Sequence, residues 1–469
     1  MSLVAFLLIV AASTIYWPAL RTPYFGDNLM CIFPGWPLDL GFFLTHHGYD
    51  AHSFRPLQNL MLAAIQSRFG WETWPIHSIE FLLHICLCGL IFVAARWLGF
   101  TMTQAGVATA FAMLWQFAAM AIVALSVADV GSALFGFASV LVLGSACQAA
   151  RGDRRAVLVG ASVFCYVIAA FFKETSAGYL AVIILCLVFW QRGSGPMRAA
   201  RVAALVAPYI AVEAVYFALR IQTVALRPRD VYVFGANLVR NVGLILVSAV
   251  TQVSSVTVAT AVHRKNILVL LAVAVLSALT VALAIGGIRK CGRSRLAGFL
   301  PVLAFVVLGP VIPLRHVSEL YMYAAMPFLA LLYGLAMGTL VEDRRWRMPV
   351  GAFIALSLAL NAHAANSKAR MVDANARRAM AMIDAIRRAL PEVPQGGKIL
   401  LSESPPDYEY SIFVVHGADV LKVGAQRLGP LLGRPDVALE VVTQARGQIL
   451  APDRGTFVFT FQDGAMLGR

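Results

Sequence analysis

The stretch NILVLLAVAVLSALTVALAIGG occupies residues 266–287 and contains no charged side chain. It is followed directly by IRKCGRSR, whose basic residues begin at Arg289. An apolar run of roughly 20 residues is the length that an α-helix needs to cross a bilayer, and Lys and Arg concentrate in the loops on the cytoplasmic side. The stretch therefore predicts a membrane-spanning helix whose C-terminal end faces the cytoplasm.

The whole chain has a composition that agrees with this stretch. Of its 469 residues, 60% are hydrophobic and 13% are charged, and the mean hydropathy is +0.76. Soluble domains carry about 25% charged residues, so the composition excludes a soluble enzyme, a disordered protein and a disulfide scaffold. The net charge of +14 lies in short clusters between apolar runs, which favours membrane orientation over a nucleic-acid partner.

The sequence predicts an all-α polytopic membrane protein with about 11 spans and the N-terminus in the cytoplasm, the first span being a retained helix. The spans lie near residues 3–20, 77–95, 104–124, 131–150, 156–172, 176–191, 202–220, 266–287, 297–314, 321–340 and 348–362. In this arrangement the clusters at 151–155, 192–201, 289–295 and 344–347 all face inward, as the orientation rule requires.

Residues 240–262 decide the count. Gln252, Ser254 and Thr257 make this stretch polar, and a span here would turn the basic run at 289–295 outward. We therefore expect an interfacial or re-entrant segment within 221–265. The predicted domains are a membrane domain, 1–362, with a long first outer loop at 21–76, and a small extracytoplasmic α/β domain, 363–469. In the latter, a polar helix near 364–390 precedes the strand-like runs KILLSE, YSIFVV, ALEVVTQ and GTFVFTF.

Ionisable residues at the rims of the spans gather on the predicted outer side. They are Asp27, Arg55, His77, Asp129, Lys173, Glu174, Arg220, Arg315, His316 and Glu319. Charged groups in a membrane need a partner or a task, and basic residues on the outer side oppose the orientation rule. A site for an anionic lipid headgroup would account for them, because Arg and Lys donate charge-assisted hydrogen bonds to phosphate.

Structural roles are open for the same residues. Lys173 and Glu174 could be a rim ion pair, and Arg220 with Arg227 and Arg229 could anchor the protein to headgroups. His77, Glu80 and His84 share one helix face and could form a packed polar stripe, while Asp27 could cap a turn. The group His46, His47, Asp50 and His52 has metal-ligand side chains, but its spacing matches no strong motif; a divalent ion is left open and no metal is assigned.

Seven stretches, in order, resemble the GT-C superfamily of polytopic glycosyltransferases, in particular the protein O-mannosyltransferase-like transmembrane proteins. They are YFGDN (24–28), FRPLQNL (54–60), IHSIEFLLH (76–84), SVADVGSALF (126–135), FFKETSAGYL (171–180), APYIAVEAVYFALR (207–220) and IPLRHVSELYMY (312–323). The family's acidic stretch in the second outer loop is WQFAAM (115–120) here, and the tail has no tetratricopeptide periodicity.

The resemblance implies inverting transfer of a sugar from a polyprenyl-phosphate-linked donor to a glycan, lipid or protein acceptor at the extracytoplasmic face. On this reading Asp27 is the general base and Asp129 the second acid. Lys173, Arg220, Arg315 and His316 hold the donor phosphate. Arg55, His77, Glu80, His84, Glu174 and Glu319 support them. Such a protein would act in cell-envelope glycosylation, in contact with membrane lipids, in a bacterial inner membrane.

Two other functions fit charges placed among spans. One is a transporter or flippase for an anionic lipid or a lipid-linked sugar, although no internally similar halves are visible. The other is a non-catalytic scaffold whose outer tail binds a partner.

Overall fold

The fold is taken from a computed structural model. It describes residues 2–24, 29, 31–32, 35–46, 53–123, 126–150, 152–194, 199–223, 232–315, 319–403, 421, 425–443, 456–462 and 465–466.

Helices make up most of the described chain. In chain order they are α1 Ser2–Tyr16, α2 Leu40–Thr45, α3 Pro56–Phe69, α4 Trp74–Trp97, α5 Met102–Leu114, α6 Gln116–Val123, α7 Val127–Gln148, α8 Gly152–Phe172, α9 Ala177–Ser194, α10 Ala199–Thr223, α11 Ala236–Val250, α12 Ser255–His263, α13 Ile267–Lys290, α14 Ser294–Val307, α15 Met326–Glu342, α16 Arg347–Ala389 and α17 Ala425–Leu431. Short 3₁₀ helices include Glu174–Ser176 and Glu319–Ala324.

Six of the described helices, α4, α7, α8, α10, α13 and α16, are long and apolar enough to cross a membrane. A seventh is added if α11 and α12 are counted as one span, while the apolar segments Glu174–Val188, Ser294–Val307 and Met326–Glu342 are shorter. These helices confirm the prediction of a helical membrane protein. The count of eleven stays a prediction.

The segment that decides the count is sharply bent. The helix axis bends by 113° between α11 and α12. Ser254 caps the second helix by accepting a hydrogen bond from the backbone N–H of Thr257 at 3.1 Å. Gln252 donates to the hydroxyl of Thr280 at 2.6 Å. The polar residues Gln252 and Ser254 thus make hydrogen bonds at the bend. The segment is a broken span or a re-entrant loop rather than one straight helix.

Helix α15 lies at the centre of the bundle and is buried along nearly its whole length. Small residues let its neighbours approach closely, as in many membrane bundles. A Cβ added at Gly334 would lie 2.5 Å from the Cβ of Ala108 on α5, and one added at Gly287 on α13 would lie 2.1 Å from the carbonyl oxygen of Ala336. Larger residues at either glycine would push the helices apart.

The predicted last span, 348–362, and the predicted polar helix, 364–390, are one continuous helix. Helix α16 has 43 residues, about 64 Å at 1.5 Å per residue, whereas a bilayer's hydrocarbon core is about 30 Å thick. One half of α16 therefore extends beyond the membrane. There the guanidinium of Arg387 lies 5.9 Å from the centroid of the Trp71 ring, so this half contacts the predicted first outer loop.

A small sheet follows α16. Its strands are β1 Lys398–Glu403, β2 Ala438–Thr443, β3 Thr456–Gln462 and β4 Ala465–Met466, in the order β2-β1-β3-β4. β1 is parallel to β2 and β3, and β3 is antiparallel to β4. Three of the predicted strand-like runs, KILLSE, ALEVVTQ and GTFVFTF, therefore contain strands over their described residues, and YSIFVV lies outside the described residues. Before β2, the Arg434 guanidinium donates to Asp436 at 2.8 Å and holds the pKa of that carboxyl well below its usual range.

Candidate functional site

A buried ion pair joins the start of α7 to the turn between α8 and α9. The Nζ of Lys173 lies 2.6 Å from both carboxylate oxygens of Asp129, and the two side chains are 4% and 7% exposed. The hydroxyl of Ser126 also donates to this carboxylate. A buried charge without its partner is strongly destabilising, so Asp129 holds Lys173 in place and its own oxygens are engaged.

Next to this pair, Glu174 is held by two arginines. The guanidinium of Arg55 donates to both of its oxygens, at 3.1 Å and 3.3 Å, and the Nη1 of Arg220 lies 3.8 Å from Oε2. Arg55 precedes Pro56, the first residue of α3, and proline at this position favours a helix start. The side chains of Arg55, Arg220 and Glu174 are 17%, 16% and 25% exposed.

These five residues form one cluster, which we call the cation cluster: Arg55, Asp129, Lys173, Glu174 and Arg220. The charges of Arg55 and Glu174 both act on Lys173. Three positive and two negative side chains leave one net positive charge at a partly exposed rim. Such a site attracts an anion, and two of its guanidinium groups can donate bidentately to phosphate or carboxylate.

The 3₁₀ helix Glu319–Ala324 contributes residues to three places: the cation cluster, an apolar cavity and a second buried ion pair. The Nζ of Lys173 lies 5.3 Å from the centroid of the Tyr321 ring. The next residue, Met322, lines an apolar cavity of about 240 Å³ between α11, α13, α14 and α15. Tyr321, which contacts the cation cluster, is thus followed directly in the chain by a residue that lines an apolar cavity.

Glu319, at the start of the same 3₁₀ helix, forms a second buried centre. It accepts a hydrogen bond from the Nζ of Lys368 on α16, and also from the backbone N–H of Ser255 at 2.5 Å. Lys368 donates in addition to Gln116 at 3.2 Å, and Gln116 donates to the carbonyl of Val253 at 2.9 Å. This network fixes the bend between α11 and α12 to α16, and it is separate from the contacts of the cation cluster.

The three residues predicted on one face of α4 are all buried. Both ring nitrogens of His77 face backbone carbonyls, that of Ile122 at 2.7 Å and that of Thr22 at 3.0 Å, and Nδ1 lies 3.1 Å from Glu80. The ring of His77 is thus held in place by contacts with Thr22, Ile122 and Glu80. His84 lies 2.8 Å from the hydroxyl of Tyr323. These contacts are those of a packed polar stripe.

Two of the predicted site residues, Asp27 and His316, lie outside the described residues. Arg315 is exposed, and its carbonyl accepts a hydrogen bond from Arg240 at 2.8 Å. The structure records no contact between the Arg315 side chain and the cation cluster. Of the histidines considered as metal ligands only His46 is described, and within the described residues no group of three or more His, Cys, Asp or Glu side chains could hold a metal ion.

The sequence does not predict that Lys368 and Glu213 are buried. Lys368 lies in the predicted polar helix outside the membrane, yet its side chain is 2% exposed. Glu213 of α10 accepts from the hydroxyls of Tyr166 and Ser176 deep in the bundle. A glutamate inside an apolar span is itself a signal of a buried polar contact, whereas nothing local marks Lys368.

Together, the fold and the site define a helical membrane protein with a cluster of three basic and two acidic side chains. Comparison of the chain with protein-family models, with curated proteins and with solved structures gives no match in any of the three.

Proposed function

We propose that this protein is a membrane glycosyltransferase that transfers a sugar from a polyprenyl-phosphate-linked donor to a glycan, lipid or protein acceptor. The observation that supports it most is the adjacency of Tyr321, at the cation cluster, and Met322, in the apolar cavity. A polyprenyl-phosphate sugar has the same two parts, an anionic phosphate and an apolar chain, joined in one molecule. The proposal includes the GT-C membership, eleven spans, an extracytoplasmic domain at 363–469 and an extracytoplasmic site in a bacterial inner membrane.

The cation cluster suits the leaving group of this reaction. When the glycosidic bond to phosphate breaks, negative charge develops on the lipid phosphate, and preorganised donors stabilise it. Arg220 and Arg55 are partly exposed and already oriented by Glu174. Lys173 is oriented by Asp129. Little rearrangement is then needed as charge develops.

The base that deprotonates the acceptor hydroxyl is assigned to Asp27. Among the described carboxylates near the cluster, Asp129 is engaged by Lys173 and Ser126, and Glu174 is engaged by two arginines. Glu319 is engaged by Lys368. A general base needs an available oxygen within hydrogen-bond reach of its proton, and Asp27 is the remaining acid that the family resemblance places in the first outer loop.

The proposal is tested with purified protein in lipid nanodiscs, supplied with a panel of synthetic polyprenyl-phosphate sugars as donors and with cell-envelope extract from cells that lack the protein as the source of acceptor. Mass spectrometry of the lipid measures the release of free polyprenyl phosphate. In a second experiment, mass spectrometry compares the envelope glycans of cells with and without the protein. The variant Lys173→Met/Asp129→Asn removes the pair as a neutral unit and should abolish release while the protein still folds. The matched control, Lys290→Met/Asp343→Asn, removes an exposed pair far along the chain and should leave release unchanged. Absence of release with every donor would contradict a transferase.

The bend between α11 and α12 also suits a transporter or flippase, because discontinuous helices are common in such proteins. The same mass measurement, made in sealed liposomes with the hydrolase added outside, separates the two functions, because a sealed vesicle keeps the two leaflets apart. A flippase moves the intact lipid-linked sugar between leaflets without breaking the sugar–phosphate bond, so the donor mass stays unchanged while its accessibility to an added hydrolase changes.

A further inference from the structure

A groove separate from the apolar cavity lies where α8 begins and α10 passes, at the opposite end of α8 from the cation cluster. It is open, has a volume of about 630 Å³ and is lined by Gly152, Arg155, Ala156, Val159, Gly160, Val163 and Pro208. We call it the inner groove, because the predicted topology places the start of α8 at the cytoplasmic side. The small residues at 152, 156 and 160 leave the space, since they follow one another at one-turn spacing along α8.

Arginines that have no acidic partner among the described residues lie at the end of this groove. Arg155 donates to the carbonyl of Ala149 at 2.7 Å, which caps α7, while its Nε is buried and has no hydrogen-bond partner. Arg201 lies seven residues before Pro208 in α10, and residues seven apart share one face of a helix, so Arg201 lies on the face of α10 that lines the groove. Among the described residues, no ion pair includes Arg154, Arg155 or Arg201.

We propose that the inner groove binds one anionic glycerophospholipid of the inner leaflet. Its headgroup phosphate is held by Arg155 and Arg201, and one acyl chain lies along the surface of Val159, Gly160 and Val163. Arg155 and the apolar side chains line the same groove. A zwitterionic lipid also carries a phosphate, but its ammonium group offsets that charge, so it neutralises the two guanidinium groups less than an anionic lipid does. This site does not depend on the proposed glycosyl transfer.

The spacing of small residues also occurs where two membrane helices pack together. A symmetric contact between two copies through this face is disfavoured here. It would bring Arg155 and Arg201 of one copy against the same residues of the other, and like charges repel in a medium of low dielectric. A lipid phosphate neutralises those charges instead.

Native mass spectrometry of the full chain, released from nanodiscs of phosphatidylglycerol and phosphatidylcholine, tests the proposal. The wild type should retain one phosphatidylglycerol in preference to phosphatidylcholine. Arg155→Gln/Arg201→Gln should lower this retention more than tenfold, since each arginine near a headgroup is worth roughly fivefold. Arg155→Lys/Arg201→Lys should keep most of it. The charge-matched control Arg344→Gln/Arg345→Gln removes two other inner-side arginines and should have little effect.

Gly160→Leu tests the proposed contact with the acyl chain separately from the phosphate contact. No atom lies within 4 Å of a Cβ added at Gly160, so leucine fills the groove without a clash and should displace the lipid while both arginines remain. Gly89→Leu, on the exposed face of α4 with equally open space, should retain the lipid. Unchanged retention in both the arginine and Gly160 variants, or an equal loss in the Arg344/Arg345 control, would overturn the proposal. So would disulfide cross-linking of two copies through Gly160→Cys in a cysteine-free background, because this shows a self-association face.

Discussion

Lys368 and Glu319 form a buried ion pair between α16 and the 3₁₀ helix Glu319–Ala324, with side chains that are 2% and 6% exposed. The same carboxylate accepts the backbone N–H of Ser255 at the start of α12. One ion pair therefore joins the helix that leaves the membrane, the segment next to the cation cluster and the bend between α11 and α12. The partners are 49 residues apart in the chain, so the contact belongs to the tertiary fold.

Lys368→Met should destabilise the protein strongly, by about 3–5 kcal/mol, because it leaves Glu319 buried without a counter-charge. Lys368→Met/Glu319→Gln should recover much of the loss, since glutamine still accepts from Ser255 and carries no charge. Thermal unfolding in detergent, followed by intrinsic fluorescence, measures both. The exposed pair of Lys290, which is 46% exposed, gives the control: Lys290→Met should cost less than about 1 kcal/mol. Equal effects at the two lysines would show that the Lys368 pair contributes nothing special.

Removal of Arg220 should weaken donor use much more than it lowers the yield of folded protein. A charge-assisted contact to phosphate is worth on the order of 1.5–3 kcal/mol, which corresponds to a ten- to hundredfold loss of turnover for Arg220→Ala. Arg220→Lys should restore only part, because lysine lacks the planar fork. Turnover of a defined polyprenyl-phosphate sugar in nanodiscs is the measurement, and Arg315→Ala tests the predicted phosphate contact at the exposed rim. Normal turnover by both alanine variants would remove this role.

The topology predicts that residues 70–73 and the end of α16 face the same, outer side. The contact between Arg387 and Trp71 supports a shared side, and the basic residues at 344–347 then face inward. In a background without native cysteines, a membrane-impermeant thiol reagent should label Glu72→Cys and Gln395→Cys in intact cells. Arg345→Cys should be labelled only after the cells are opened. The reverse pattern would contradict both the eleven spans and the proposed side of the site.

The sequence predicts most of the local structure, because local signals determine it. Apolar length marks α4, α7, α8, α10 and α13, and the strand-like runs mark β1, β2 and β3. The one-sided distribution of charge places ten ionisable residues on the outer side, and the structure brings Arg55, Asp129, Lys173, Glu174 and Arg220 of that set into one cluster. Glu319 pairs with Lys368 instead. What the sequence does not reveal is which partner each charge has. Lys368 lies in a polar stretch that resembles an exposed helix, and only packing against the 3₁₀ helix buries it.

The sequence also does not show which partners the acidic residues of the cation cluster have. Asp129 has the residue type of a second catalytic acid, but its oxygens are engaged by Lys173 and Ser126. Removing its charge by Asp129→Asn should therefore lower stability and donor use together, since Lys173 loses its buried partner. A loss of turnover in that variant is accompanied by a lower unfolding temperature, which distinguishes a positioning role from proton transfer.

Asp27→Asn should abolish transfer and leave folding and donor binding close to those of the wild type. Asparagine keeps the size and the hydrogen-bonding ability of the side chain but cannot take a proton from the acceptor hydroxyl. General-base catalysis typically contributes 10²–10⁴-fold, so a loss below about fivefold is too small for this role. If Asp27 only caps a turn, asparagine caps nearly as well and the substitution should be almost silent. Three measurements on the same nanodisc sample separate these cases: turnover, the unfolding temperature, and binding of a donor that cannot react. The general-base assignment requires a large fall in turnover with the other two unchanged. A dead Asp129→Asn variant of normal stability, beside a fully active Asp27→Asn variant, would move the base from the first outer loop to the start of α7.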